Sequence, residues 1–584
     1  MEAAFVPSVV SGSVSRTTDL EAAVRGWTAA DPDPATRAEL DGLLEAGHFD
    51  ELADRMAGTL EFGTAGLRGR VEAGSNRMNR AVVITATRGL ARYLLDRRDE
   101  PLVVVGRDAR LSSERFMTDT VGVLAAAGVR VRYFPEPVPT PIVAFAAKLL
   151  GAEAAVVITA SHNPPQDNGY KVYDANFAQI VPPVDSDIAA AIASVGAASD
   201  VPSIRDPFGS ETDLATAVPD DVFERYLDAL AEFRGDVARA PERRIVYTPL
   251  HGVGGKYVVA ALARFGHRNV LPVAEQFEPD GRFPTVAFPN PEEPGALDLA
   301  LELAAERRAD LVLANDPDTD RLAVAVPDGD GGFRPLTGNQ VGALLADHIL
   351  HRTREPHPLV INSIVSTPLL ELIARHHDAA YTTTLTGFKW IWNAALEMEA
   401  EGAGRFVFGF EEALGYSVGR IVRDKDGISA AVVFADMAAA AAAEGRSVLD
   451  ELARIYGEHG LWVSTQLSIL RQGPRGAAEI GAALDRLRAT PPERLGGHRV
   501  TGIADYSVGA EERPRWLAAT DLLVMTLGGG GRALVRPSGT EPKLKIYVDL
   551  NETVGPAEAM AAEPALRRRA DDLARAVAEA LQFA

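Results

Sequence analysis

The 584-residue sequence contains no cysteine. This absence excludes a disulfide-stapled scaffold, a thiolate metal site and a cysteine nucleophile. Basic residues are in the minority too, because 59 Lys and Arg stand against 81 Asp and Glu, a formal net charge of −22. Sequence-independent binding of nucleic acid needs a basic surface. We therefore expect no nucleic-acid partner.

Long uninterrupted hydrophobic runs are also missing from the sequence. The N-terminal stretch has no basic region before its short apolar part, which Pro7 interrupts. The most apolar later stretch, ISAAVVFADMAAAAAA, carries Asp436 and is too short to cross a bilayer, so it predicts an Ala-rich buried helix. We expect a cytoplasmic protein with no membrane partner, and nothing in the sequence indicates an obligate protein partner.

The rest of the sequence is typical of a multidomain α/β protein. At about 150 residues per domain, the length predicts roughly three to five domains. A helical segment at 18–58 precedes short β-branched runs that alternate with helical stretches, which is the pattern of α/β layers. The strand-like runs fall into three pairs: 102–105 with 155–159, 245–247 with 311–315, and 359–361 with 406–410. The last portion, which ends in LKIYVDL and a helix, predicts a smaller α+β domain.

In each pair the second run leads directly into a polar loop. Ligands of open α/β sheets bind outside the carboxyl ends of strands. In the first loop, TASHNPPQDNGYK, Ser161 follows the buried strand, and His162 and Lys171 could move protons or neutralise charge for a group on that serine. The alternative is that Ser161 only begins a helix or a turn. No G-x-S-x-G elbow is present, which disfavours an acyl-transfer hydrolase.

The second loop is DPDTDR, with carboxylates at Asp316, Asp318 and Asp320. Three alternating carboxylates in a Pro-stiffened loop, with oxygen as their only donor atom, favour Mg²⁺. An EF-hand would need Gly and Glu where Arg321 and Pro327 stand, and an aspartyl-phosphatase motif would need Thr or Val in place of Asp320. The remaining alternative is a solvated acidic turn.

Two further segments carry candidate binding groups, each with a simpler alternative. Paired glutamates in FEEALGY could accept bonds from sugar hydroxyls, and Lys389 in TGFKW could face a phosphate, although Glu-Glu is also common at a solvated helix start. In RPSGTEPK, an arginine fork, two hydroxyls and a glycine predict a phosphate site, or else a β-turn before the last strand. An upstream loop, GTAGLRGR, places small residues around Arg68.

Taken in this order, the segments resemble the α-D-phosphohexomutase superfamily, which holds the phosphoglucomutases and phosphomannomutases. TASHNPPQDNGYKVY is similar to its phosphoserine loop, DPDTDR to its magnesium loop, GFEEALGY to its sugar loop and RPSGTEPKLKIY to its phosphate loop. The resemblance implies three similar α/β domains and a smaller C-terminal α+β domain around a central cleft. The expected domains are 1–205 with the N-terminal helices and phosphoserine loop, 206–330 with the metal loop, 331–462 with the sugar loop, and 463–584 with the phosphate loop.

The resemblance also implies roles for individual residues. Ser161 would be phosphorylated in the resting enzyme, and Asp316, Asp318 and Asp320 would bind Mg²⁺ together with that phosphate. Arg68, His162 and Lys171 would lie beside the transferring phosphoryl group. The implied substrate-binding residues are Arg321, Thr386, Gly387, Lys389, Glu411, Glu412, Arg536, Ser538, Gly539 and Thr540.

The implied activity is that of a phosphosugar mutase. It would interconvert the 1-phosphate and 6-phosphate of glucose, mannose or both through a phosphoserine and a bisphosphorylated sugar, with sugar 1,6-bisphosphate as activator. Many members carry Ser where this chain has Ala413, and EEALGY and TGFKWI look most similar to the branch that also holds phosphopentomutases and glucose-bisphosphate synthases. The alternative activities are therefore those of a phosphopentomutase or a sugar-bisphosphate synthase that uses the same site. Cations in these loops would focus positive charge on an anionic substrate within an acidic protein.

Overall fold

A computed structural model describes residues 12–63, 66–209, 211–235, 237, 242–471, 476–537 and 543–583. The chain divides into two compact units, and each is described by itself. The first comprises Met1–Val222 with Pro279–Pro289, and the second comprises Phe223–Glu278 with Asn290–Ala584.

The first unit holds the N-terminal helices and one six-stranded sheet. Its helices are α1 (Gly12–Ala30), α2 (Pro34–Glu45), α3 (Phe49–Arg55), α4 (Arg80–Leu95), α5 (Ser113–Ala126), α6 (Thr140–Leu150) and α7 (Val184–Ala193), with a 3₁₀ turn at Ala198–Asp200. Its strands are β1 (Leu67–Arg70), β2 (Leu102–Arg107), β3 (Arg130–Tyr133), β4 (Ala154–Ile158), β5 (Asp167–Tyr173) and β6 (Ala215–Ala217). The strand order is β1-β5-β4-β2-β3-β6. Strand β5 is antiparallel to both of its neighbours, β1 and β4, whereas β4, β2, β3 and β6 are parallel to one another.

Local sequence signals explain where these helices begin. The Asp33 carboxylate accepts a bond from the Ala35 amide and Pro34 opens α2, while Asn79 caps α4 through the Val82 amide. Val24, Leu40 and Leu52 form a small buried cluster between α1, α2 and α3. The predicted N-terminal helical segment is therefore confirmed, and it packs as a helical layer of its own.

The second unit contains three sheets. Its helices are α8 (Val222–Arg234), α9 (Gly255–Arg264), α10 (Ala274–Phe277), α11 (Asp298–Arg307), α12 (Gly338–Arg352), α13 (Leu369–His376), α14 (Phe388–Ala400), α15 (Gly427–Ala443), α16 (Val448–His459), α17 (Gly476–Ala489) and α18 (Pro556–Ala580), with 3₁₀ turns at Ala510–Glu512 and Arg515–Leu517. Its strands are β7 (Ile245–Thr248), β8 (Val270–Pro272), β9 (Leu311–Ala314), β10 (Ala323–Pro327), β11 (Phe333–Pro335), β12 (Pro358–Ser363), β13 (Ala380–Thr384), β14 (Arg405–Glu411), β15 (Gly415–Val418), β16 (Leu461–Leu470), β17 (Arg494–Leu495), β18 (His498–Asp505), β19 (Leu523–Leu527), β20 (Arg532–Pro537) and β21 (Lys543–Glu552). The sheet orders are β11-β10-β9-β7-β8, β13-β12-β14-β15 and β16-β21-β20-β19-β18-β17.

The three strand pairs of the sequence become three pairs of adjacent parallel strands. They are β2 with β4, β7 with β9, and β12 with β14. The last sheet is instead antiparallel between β16 and β21 and through β20, β19 and β18, and α17 and α18 pack against it. The predicted class, three α/β parts followed by an α+β part, is confirmed.

The Ala-rich stretch forms α15, most of whose residues are buried. Within the described part of the chain, no single helix has the length and apolar character needed to cross a membrane. Only α15 and α16 taken together reach that length and apolar character, and a 90° bend separates them.

Candidate active site

Ser161 lies three residues beyond the end of β4 and is 1% exposed. Its backbone is left-handed, with φ of 51°, and its amide donates to Thr159 Oγ1 at 2.8 Å. The Ser161 hydroxyl is 3.2 Å from His162 Nδ1. The loop then leads into β5 and no helix follows, so Ser161 does not begin a helix; it lies in a turn in which the Asn163 amide donates to Ala160 O at 3.0 Å.

Arg110, which the sequence reasoning missed, donates hydrogen bonds to four backbone carbonyl oxygens of this loop. Its Nη1 donates to Pro164 O at 2.6 Å and Asp167 O at 2.9 Å. Its Nη2 donates to Ser161 O at 2.7 Å and Asn163 O at 2.6 Å. The sequence signal for Arg110 was the charged segment GRDAR at the end of β2. Because β2 is parallel to β4, the two strands present their carboxyl ends at the same edge of the sheet.

Two other predicted residues lie on the strands beside the Ser161 loop. Arg68 is on β1 and donates through Nη1 to Asn163 Oδ1 at 3.3 Å. Its partner in β5 is Gly169, where a Cβ would come within 2.6 Å of Thr159 O and 2.9 Å of Arg68 Cγ, so only glycine fits. Lys171 is two residues further along β5 and is fully buried. Within the first unit the structure thus places His162 against Ser161, Arg68 against the same loop, and Lys171 on the strand that follows the loop.

The three aspartates follow β9 and are all fully buried. One oxygen from each of Asp316, Asp318 and Asp320 lies within 4.8 Å of the others, and among the described residues no other cluster meets this criterion. Burial, and then the charges of Asp318 and Asp320, raise the pKa of Asp316 well above its usual value. A solvated acidic turn would show neither burial nor this shift, so that alternative is wrong. An all-oxygen donor set of this size fits a hard dication such as Mg²⁺.

Lys425, a second residue that the sequence reasoning missed, lies beside the aspartates. Its Nζ is 3.1 Å from Asp320 Oδ2 and 3.1 Å from Asp424 Oδ1. Burial alone would lower the pKa of Lys425, but the charges of the two aspartates raise it above its ordinary value. This buried ammonium group partly offsets the negative charge of the metal loop.

Arg321 links the metal loop to the sugar loop within the second unit. Its amide donates to Asp316 Oδ1 at 3.0 Å, and its Nη1 donates to Ala413 O at 2.9 Å. A β-bridge joins Arg321 to Gly415, and Arg321 Nη1 is 4.0 Å from Glu292 Oε2. The structure therefore brings together two loops that are separated by about 90 residues in the sequence.

The glutamate pair lies at the tip of the hairpin formed by β14 and β15, so the predicted alternative of a solvated helix start is wrong. Glu411 Oε1 accepts a bond from the Gly387 amide at 2.7 Å. Burial and the neighbouring charge of Glu412 raise the pKa of Glu411 to about 7. Glu412 is already engaged, because its Oε2 accepts bonds from Ser363 Oγ at 3.1 Å and Ser366 Oγ at 3.0 Å.

Cationic side chains from the last sheet lie near the sugar loop. Arg536, on β20, donates through Nη1 to Thr386 Oγ1. Lys545 lies opposite Arg536, on β21. Its pKa is below the ordinary value, chiefly because the lysine is buried; the charge of Glu412 opposes this shift and the charge of Arg536 adds to it. Lys545 was missed, although the alternation in Lys543-Leu544-Lys545 places both lysines on one face of a strand. Lys389 is partly buried in the first turn of α14, and Ser538, Gly539 and Thr540 lie outside the described residues.

Family models match four consecutive parts of the chain. They are phosphoglucomutase/phosphomannomutase alpha/beta/alpha domain I at 59–198, domain II at 224–330, domain III at 337–457 and the C-terminal domain at 500–566. Together these models cover most of the chain, in the order that the sequence motifs predict.

Individual proteins show the same similarity. A Haemophilus influenzae protein described as "Probable phosphomannomutase" is 42% identical over 81% of this chain and 93% of its own length. A Schizosaccharomyces pombe protein described as "Probable phosphoribomutase" is 36% identical over 91% and 93%. The crystal structure of a phosphoglucomutase/phosphomannomutase family protein from Burkholderia thailandensis has the same fold, with a TM-score of 0.63, 21% identity, and coverage of 88% of this chain and 97% of its own.

Proposed function

We propose that this chain, which belongs to the phosphoglucomutase/phosphomannomutase family, interconverts the 1-phosphate and 6-phosphate of glucose, mannose or both. Enzymes of this family are mutases, isomerases that move a phosphoryl group within one molecule, and the chain is an enzyme of that class. The observation that carries the proposal is the buried cluster of Asp316, Asp318 and Asp320. A protein that only bound phosphosugars would have no need for three carboxylates crowded at a strand end.

The three aspartates are the residues that would hold Mg²⁺. A bound Mg²⁺ ion would supply positive charge for the phosphoryl group in transit, which is most of what phosphoryl transfer requires of an enzyme. Lys425, 3.1 Å from Asp320, would keep that carboxylate in place.

We assign the phosphoryl carrier to Ser161. Phospho-Ser161 would give its phosphoryl group to the free hydroxyl of the sugar phosphate, which produces a sugar 1,6-bisphosphate. The other phosphate would then return to Ser161, so the same bisphosphate added from outside can activate an unphosphorylated enzyme. As the Ser161 O–P bond breaks and the new O–P bond forms, the attacking sugar hydroxyl would lose its proton to a base, for which Lys171 or a neighbouring group is our candidate. The Ser161 oxygen would gain a proton, which His162 Nδ1, 3.2 Å away, is placed to donate. Arg68 and Lys171 would neutralise charge beside the group in transfer.

The remaining residues would bind the sugar and its second phosphate. Glu411 is placed to accept bonds from sugar hydroxyls, whereas Glu412 would act through the serines it already binds. The residues that we assign to phosphate and ring contacts are Arg321, Thr386, Gly387, Lys389, Arg536, Ser538, Gly539, Thr540 and Lys545.

A side-by-side rate comparison tests the proposal. Glucose 1-phosphate, mannose 1-phosphate and ribose 1-phosphate are each given to the enzyme with Mg²⁺ and a trace of glucose 1,6-bisphosphate. We expect at least one hexose 1-phosphate to be converted to its 6-phosphate without net release of inorganic phosphate. Steady phosphate release, with no 6-phosphate formed, would refute the assignment as a mutase.

A pentose phosphate is the second candidate substrate. The S. pombe relative described as a phosphoribomutase matches 91% of this chain, and the sugar loop has Ala413 where many hexomutases have serine. A value of kcat/KM for ribose 1-phosphate about tenfold above both hexoses, a preference of roughly 1.4 kcal/mol, would favour the pentose activity. Net accumulation of sugar bisphosphate from a phosphoryl donor would instead indicate a bisphosphate synthase.

The pH dependence of kcat/KM tests the role of Glu411. Its pKa is raised to about 7, so its carboxylate is protonated below that pH and charged above it. Only the charged form accepts two hydroxyl bonds, and we therefore expect kcat/KM to rise as pH increases through about 7. Glu411→Gln should remove that rise and lower kcat/KM at pH 8 by roughly tenfold to a hundredfold, which is the loss expected for bonds to a charged group.

The control is Glu401→Gln, because Glu401 is an exposed carboxylate at the end of α14. Titration of the substrate phosphate is common to all three proteins and cancels in the comparison. A Glu411→Gln profile that still rises through pH 7, parallel to wild type, would contradict the assignment.

A further inference from the structure

Arg110 is built into the interior of the first unit as a fork for backbone carbonyls. Its side chain is 1% exposed, and its four donated bonds to the Ser161 loop span 2.6 to 2.9 Å. On its other side Arg110 Nε is 3.3 Å from Asp108 Oδ2, whose carboxylate also accepts bonds from the Arg110 amide and Ser113 Oγ. One cation therefore ties the end of β2 to the loop after β4.

The segment Pro279–Pro289, called here the covering segment, closes over Arg110. It belongs to the first unit although the chain on both sides of it belongs to the second. The guanidinium carbon of Arg110 is 5.2 Å from the centre of the Phe283 ring, within the range of a cation–π contact. At Gly281 a Cβ would lie 2.8 Å from both Arg110 Cα and Leu111 N, so a residue without a side chain is required for this close packing.

The covering segment also reaches the residue next to Ser161, and it has a defined shape. The Phe288 ring lies edge-on to the His162 ring with centres 6.5 Å apart. The Phe283 amide donates to Asp280 O at 3.0 Å, the Val286 amide donates to Phe283 O at 3.1 Å, and Phe283 is 2% exposed. Phe283 is left-handed, with φ of 50°, so two successive turns present its ring to Arg110.

We propose that Arg110 and the covering segment are the positioning apparatus of Ser161, which hold its left-handed backbone and the direction of its hydroxyl group during phosphoryl transfer. Neither Arg110 nor Phe283 belongs to the loops that carry the proposed catalytic groups. Arginine is required because a planar fork can donate to four carbonyls at once, whereas a lysine ammonium is a single point with three donors. The inference rests on the proposed function of Ser161 as the phosphoryl carrier.

The test is a single-turnover measurement on Arg110→Lys. Enzyme labelled on Ser161 with radioactive phosphate from glucose 1,6-bisphosphate is mixed with excess glucose 1-phosphate, and loss of label is followed. A first-order rate constant does not depend on how much of the protein is folded, so it separates positioning from stability. We expect this constant to fall about a hundredfold, as for a small displacement of a reacting group. The steady-state KM for glucose 1-phosphate should change less than roughly threefold.

Arg55→Lys is the matched control. Arg55 is another buried arginine of the same unit, and its side chain binds Glu39, Glu51, Glu72 and the Ala73 carbonyl rather than the Ser161 loop. Hydrogen exchange of the peptide covering 159–169 supplies a second measurement. We expect exchange there to be at least roughly tenfold faster in Arg110→Lys than in wild type, and unchanged in Arg55→Lys.

A second variant, Phe283→Leu, covers the case in which Arg110→Lys does not fold. It keeps an apolar side chain over Arg110 but removes the ring, and we expect the rate constant to fall roughly threefold to tenfold. A folded Arg110→Lys protein with a rate constant and exchange like those of wild type would overturn the positioning role, as would an unaltered Phe283→Leu rate if the first variant fails to fold. If wild type carries no phosphate on Ser161 either as purified or after incubation with glucose 1,6-bisphosphate, the proposed function is refuted, and the exchange rates alone then decide whether the apparatus orders the loop.

Discussion

Ser161→Ala is expected to abolish turnover and leave the fold intact. The variant has no oxygen to carry the phosphoryl group, and loss of a nucleophile from a catalytic unit costs roughly 10⁴-fold or more in kcat. In the folded state the variant loses the 3.2 Å contact between the hydroxyl and His162, and one small buried side chain replaces another. We therefore expect the free energy of unfolding to change by about 1 kcal/mol or less. Steady-state rates and denaturant unfolding measure the two quantities.

The matched control is Ser194→Ala, which removes an exposed hydroxyl at the end of α7 and should leave kcat unchanged. Mass spectrometry of freshly purified wild type should find a phosphate on the peptide that contains Ser161, and the Ala variant should lack it. Near-normal turnover by Ser161→Ala would show that the phosphoryl carrier is another residue.

Asp318→Asn is expected to lower the activity without lowering the stability of the metal-free protein. The three buried carboxylates repel one another, and the raised pKa of Asp316 means that the folded protein binds protons more tightly than the unfolded chain. Without metal, wild-type stability should therefore fall as pH rises from the ordinary carboxylate pKa through the raised one. Removing one charge should make the metal-free protein as stable as wild type or more stable, yet lower kcat by roughly 10³-fold.

Melting curves with EDTA and with Mg²⁺ measure this prediction. Wild type should gain melting temperature with Mg²⁺, because a ligand that binds only the folded state stabilises it, and Asp318→Asn should lose most of that gain. Glu302→Gln, which neutralises an exposed carboxylate on α11, serves as the control and should respond to Mg²⁺ as wild type does. A metal-free Asp318→Asn protein that melts below wild type and keeps its full response to Mg²⁺ would contradict the metal assignment.

The motif-bearing part of the site was predictable because its residues are close in sequence. Asp316, Asp318 and Asp320 lie within five residues at the end of one strand, and Ser161 with His162 lies at the end of another. Short continuous apolar runs show where buried strands end, and parallel strands present their carboxyl ends at one edge of a sheet. The parallel pairing of β7 with β9 and of β12 with β14 follows the same pattern.

The residues that the sequence did not indicate act across long separations. Arg110 is 51 residues before Ser161, and Lys425 follows Asp320 by about a hundred residues. Neither lies in a motif whose spacing demands a cation. Their roles come from packing, because a buried charge is stable only where other groups pair with it, and those groups come from other strands.

The sequence by itself determined the reaction class, the order of the α/β and α+β parts, and the short motifs that carry the candidate nucleophile and carboxylates. Only the tertiary structure decided between the alternatives at the metal loop and at the sugar loop, since burial distinguishes a metal cluster from a solvated turn and strand pairing distinguishes a hairpin tip from a helix start. It also decided which cations stand beside those groups. The physical reason is that strand periodicity is a local property of the chain, whereas burial and charge pairing depend on contacts between residues far apart in sequence.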